Sequence, residues 1–164
     1  MGRTEMADGE QRDLVCVVVT PAGSRNSYLY DPSLGGIMFQ RRLRSSETPP
    51  VDTGFLRGTL TSDDGPQRAL VCVHRPTFPG CLVPVKPVGL VRTLTGGDVV
   101  VCVPTGDPYW NENDDIEDLP IQLRADIELL YRDSPGFAEW GPRAEADRAV
   151  AGARERAKAA GGEF

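Results

Sequence analysis

The chain has 164 residues, 40% hydrophobic and 26% charged, the balance of one soluble globular domain of ordinary size. A formal net charge of −6 and a pI near 4.8 argue against nucleic acid as the main partner. No apolar run reaches the roughly 18 residues a membrane span needs, so no membrane partner is expected.

The polar stretch 1–12 lacks the apolar centre of a signal peptide and reads as a flexible tail ahead of a single domain over 13–160. Residues 14–20 form a continuous apolar run, readable as a buried strand. Residues 27–31 alternate in polarity and stop at Pro32, and Gly35-Gly36 introduces a third strand over 37–43. Further strands are expected over 54–60, 69–74, 83–93 and 99–103, separated by Asp64-Gly65-Pro66, Pro79-Gly80 and Gly96-Gly97-Asp98. Short strands at this spacing predict a small closed barrel or sandwich.

After residue 118 the periodicity changes. Asp118 as N-cap and Pro120 in the first turn start a helix whose Leu119, Leu123, Ile127 and Leu130 or Tyr131 form one apolar stripe. It stops at Ser134-Pro135-Gly136. A second helix, rich in Ala and Arg, runs from about 143 to 160 and is expected to lie against the barrel surface.

Cys16, Cys72, Cys81 and Cys102 form no C-x-x-C pair, and three of them sit in valine-rich runs. They read as free thiols packed as small hydrophobes in a reducing cytoplasm. His74, the only histidine, ends a strand and is more often structural or exposed than a general base. The acidic run 111–118 reads as a solvated loop entering a helix N-terminus.

Several motifs are held in common with one family. Asp63-Asp64-Gly65-Pro66-Gln67-Arg68, Pro79-Gly80, Val85-Lys86-Pro87-Val88-Gly89-Leu90, Val101-Cys102-Val103-Pro104, Asp107-Pro108-Tyr109, Asp118-Leu119-Pro120 and Tyr131-Arg132 occur in this order. Together they resemble the soluble, Mg-dependent inorganic pyrophosphatases. The resemblance spans about 13–158 and implies an α+β fold, an OB-like closed β-barrel flanked by two C-terminal helices. It also implies a homo-oligomer, since bacterial relatives include hexamers.

In that family the loop reads Asp-x-Asp-Pro-x-Asp, three carboxylates spaced to ligate hard divalent cations. Here Asp63 matches the first, while Gly65 and Arg68 stand at the second and third. Thr20, Ser27, Leu29, Thr53 and Val99 fall on other charged or tyrosyl positions of the family pattern; Arg41, Tyr131 and Arg132 persist, the last in place of a lysine. The substitutions lead to the expectation that Mg-dependent pyrophosphate hydrolysis is lost. The barrel pocket would be reused for metal-independent chemistry on, or binding of, a small organic anion, in specialised metabolism for example. A non-catalytic pseudoenzyme acting as regulator or oligomer partner is the alternative, and a residual inorganic diphosphatase a third. On that reading Tyr131 and Asp63 handle protons, while Arg41, Arg68, Arg132 and Thr53 hold a small anionic molecule. No metal site and no cofactor are expected, residual Mg²⁺ being the less favoured option.

Overall fold

A computed structural model describes residues 14–133 and 135–161; the tail expected over 1–12 lies outside the described residues. The strands are β1 (Leu14–Thr20), β2 (Asn26–Asp31), β3 (Gly36–Arg42), β4 (Asp52–Leu56), β5 (Arg68–Val71), β6 (Leu82–Thr93) and β7 (Val99–Pro104). They are followed by α1 (Ile121–Leu130), β8 (Phe137–Pro142) and α2 (Arg143–Ala159).

β1 pairs antiparallel with β4 on one side and with β6 on the other, and this double pairing closes the ring β1-β4-β5-β7-β6. The β5–β7 pairing is parallel and the other ring pairings are antiparallel, so the five-stranded barrel is mixed. β2 and β3 form a separate hairpin. This is the closed barrel with two C-terminal helices that the sequence led us to expect.

Period-two alternation sorts the barrel residues into two apolar clusters. Leu14, Cys16, Val18, Val100 and Cys102 join Ala146 and Val150 of α2 in one. Val99, Val101 and Val103 face the other way, joining Trp110, Ile116, Leu119, Ile127 and Tyr131 in the second. β7 is therefore buried on both faces, which is why it reads as an unbroken run of valines and cysteine.

Some boundaries differ from expectation. The strand expected over 54–60 starts at Asp52 and stops at Leu56, because Gly58 takes φ +72 and turns the chain. α1 begins at Ile121 rather than at Asp118. Asp118 instead closes the 3-10 turn Ile116–Asp118, its Oδ2 accepting from the backbone N of Asp114 (2.9 Å) and of Asp115 (3.1 Å). β8 was not anticipated. Gly141 and Pro142 argue against a strand in sequence, yet β8 pairs only with β6, and an edge position tolerates a proline.

Candidate active site

A cleft of about 1550 Å³ opens against one flank of the barrel. It draws walls from β1, β2, β3, β4, β5, the loops 61–67 and 96–98, the end of α1 and one face of α2. All six residues assigned from sequence, Arg41, Thr53, Asp63, Arg68, Tyr131 and Arg132, line this cleft.

The loop bearing Asp63 is a tight turn. Thr61 N and Oγ1 both donate to Gly65 O, at 2.7 and 3.0 Å, and Asp64 takes φ +70. Arg68 opens β5 with an exposed side chain whose Nη2 donates to Gly97 O at 3.1 Å. A methyl group added at Gly97 would stand 3.9 Å from Asp63 Oδ2, so Asp63 and Arg68 both approach the 96–98 loop at Gly97. Gln67 Nε2 secures that loop from below, donating to Asp98 O at 2.9 Å.

Tyr131 caps α1 at its C-terminus and is buried, only 9% exposed. Burial pushes its hydroxyl up to about 12, with the Arg68 charge pulling the other way. At neutral pH it is a hydrogen-bond donor and not a base. Arg132 follows it, exposed, at the rim.

Arg41 is already engaged. Its Nη1 and Nη2 donate to the two oxygens of Glu47 at 3.2 and 3.1 Å, and Arg44 N also donates to Glu47 Oε1 at 2.8 Å. The Arg41 hydrogen bond, then the Arg44 amide, hold the Glu47 carboxyl down to about 2. Thr53 spends its hydroxyl on Thr20 O at 3.0 Å. Both residues line the cleft, Arg41 with its charge paired to Glu47 and Thr53 with its hydroxyl donated to the backbone.

The sequence reading missed Arg148 and Arg156, which reach the cleft from α2. Their signal was present as the row Arg148, Gly152, Arg156 at intervals of four on one helix face. In all, six arginines and four carboxylates line the cleft, so a chain of net charge −6 carries a locally positive recess. His74 is elsewhere, packed at a tilt against Tyr109 with ring centroids 4.5 Å apart. Cys16, Cys72 and Cys102 are buried, and desolvation pushes all three thiols up, which makes them inert packing rather than nucleophiles.

A family model for inorganic pyrophosphatase matches residues 16–158. An inorganic pyrophosphatase of Streptomyces coelicolor is 37% identical over 153 residues, 87% of this chain and 94% of the relative. One from Methanosarcina acetivorans is 41% identical over 126 residues, 74% of this chain and 75% of the relative. This chain belongs to the inorganic pyrophosphatase family. The crystal structure of the Thermus thermophilus inorganic pyrophosphatase superposes with a TM-score of 0.84 at 28% identity, covering 94% of this chain and 97% of that one.

Family membership corrects two expectations. Loss of pyrophosphate hydrolysis, with the pocket turned to organic anions or to a pseudoenzyme's role, does not stand against relatives at 35–41% identity that are named inorganic pyrophosphatase. The expectation of no cofactor fails with it, because the soluble enzymes of this family need Mg²⁺. Both expectations rested on motif matching at a few loop and strand positions, whereas the similarity runs through the barrel and both helices.

The residues present are nonetheless a poor fit to a cluster of metal ions held by protein alone. Among the described residues, no group of three or more His, Cys, Asp or Glu side chains is placed to hold a metal ion. Of the four cleft carboxylates, Glu47 is taken by arginines, Asp98 belongs to the loop held by Arg68, Asp63 faces that loop at Gly97, and Asp133 follows Arg132 at the rim. Closely spaced divalent ions need several carboxylates to offset their mutual repulsion.

Proposed function

We propose that the chain hydrolyses inorganic pyrophosphate to two orthophosphates in this cleft, with a requirement for Mg²⁺. The observation that carries the reading is the match of an inorganic pyrophosphatase model across residues 16–158, joined to a cleft richer in arginine than in carboxylate. Pyrophosphate is small and densely anionic, and guanidinium groups suit it because they donate in bidentate pairs and never lose charge.

Arg68 and Arg132 hold the two phosphates and offset the charge that builds on the leaving phosphate. Tyr131, protonated at neutral pH, donates a hydrogen bond to a phosphate oxygen. Asp63 accepts the proton as a water oxygen bonds to one phosphorus and the bridging P–O bond breaks. Arg41 and Thr53 shape the adjoining wall.

The same reading includes a cytoplasmic homo-oligomer. No helix among the described residues is long and apolar enough to cross a membrane, and the four thiols are free. Leu34, Phe78, Leu82 and Ile121 are more than half exposed, as subunit contacts would be before assembly.

The deciding experiment is phosphate release from pyrophosphate across a Mg²⁺ titration. We expect release that rises with Mg²⁺ and stops with a chelator. Arg68→Ala should lower kcat/KM about a hundredfold, the scale for removing one donor to developing anionic charge. No release at any Mg²⁺ concentration would defeat the reading.

A further inference from the structure

The geometry points to a second anion subsite on α2, in the same cleft, that takes the distal phosphates of a linear condensed phosphate longer than pyrophosphate. The inference rests on the pyrophosphatase reading and extends its substrate class.

Arg148 and Arg156 lie one helical row apart through Gly152, so both project from the face of α2 that lines the cleft. At about 1.5 Å per residue their backbones are about 12 Å apart along the axis. Gly152 leaves the space between them open, since a methyl group there would meet only Arg156 Nη1, at 3.9 Å. No carboxylate occupies the row, and neither arginine forms an ion pair among the described residues.

Two exposed cationic side chains on one wall, with no carboxylate in their helix row, make that wall attractive to an anion. The loop bearing Asp63 is anchored to this wall, for Leu60 N donates to Ala153 O at 3.0 Å. The subsite is thus continuous with the Asp63–Arg68 end of the cleft and is not a separate surface patch. The volume agrees: about 1550 Å³ exceeds the roughly 300–1,000 Å³ usual for small-molecule pockets, and pyrophosphate alone would fill a minor part of it. A condensed phosphate with one end at Arg68 and Arg132 could extend its remaining units toward Arg148 and Arg156.

The test is calorimetric titration of the full chain with tripolyphosphate and with pyrophosphate, chelator present to prevent turnover. Tripolyphosphate should bind at least about tenfold tighter than pyrophosphate, as expected for added charge-assisted contacts. The double variant R148A/R156A should bring that ratio to near one, and R148K/R156K should restore part of it. Equal affinities in the unaltered chain would overturn the subsite, and that comparison needs no variant to fold. So would a double variant, melting like the parent, that weakens both ligands in proportion. Phosphate release from pyrophosphate is measured on the same preparation. Its absence counts against the hydrolytic reading, whereas an even affinity ratio with hydrolysis intact counts against the subsite alone.

Discussion

Single side chains decide how much of the cleft's positive charge is available. Arg41 matched the family pattern in sequence, but its guanidinium is clamped bidentately by Glu47, and that carboxyl stays ionised until the pH nears 2. Across any practical assay range, then, Arg41 is a neutralised cation. Glu47→Gln should release it toward the cleft and lower KM for pyrophosphate about threefold, the modest scale of an exposed charge contact. An unchanged KM would mean that Arg41 faces no phosphate. Nothing in the sequence told Arg41 from Arg68, since the difference lies in which partner each finds. Arg68 finds a carbonyl, Gly97 O, which leaves its charge intact.

Close backbone approach sets the barrel's register at the level of elements. Gly54 lies in β4 opposite Val18 of β1, and a methyl group there would come within 1.9 Å of Val17 O. No relaxation of a flexible side chain can relieve a clash with a backbone carbonyl inside a ladder, so Gly54→Ala must push β4 away from β1. The expected result is a loss of several kcal/mol, read as a melting temperature lower by 10 °C or more, on the order of the shifts such losses produce. Gly36→Ala is the control, for its position has open space and no positive φ. Strand positions were largely legible, because buried runs and turn residues placed seven of the eight strands near where they occur, while their order in the barrel was not. β8 escaped because its Gly141 and Pro142 break the usual strand signal, and only the exposed edge of β6 gives it a partner.

Across the whole molecule, several buried acids share one direction of shift. Desolvation pushes the Tyr131 hydroxyl and the Cys16 and Cys72 thiols up to about 12, and raises Cys102 as well. The folded chain therefore keeps protons that the unfolded chain releases as pH passes their ordinary values of 9 to 10. Their contribution is fully present below pH about 9 and disappears as pH rises toward 12. Melting temperature should stay level from about pH 6 to 8 and fall steeply beyond about 9. Cys72→Val, similar in volume and unable to ionise, should soften that fall, and an identical slope would count against the assignment.

The sequence alone determined the family, the β-then-α order and the buried valine-rich strands. Those depend on local periodicity and on motifs read along the chain. Tertiary structure decided what the cleft can hold, because a charge counts only with its neighbours. Folding masked Arg41 with Glu47, set Asp63 and Arg68 on either side of Gly97, and brought Arg148 and Arg156 from a remote helix into the same recess. Electrostatics acts through space, and that is why a chain that is acidic in composition presents a basic pocket.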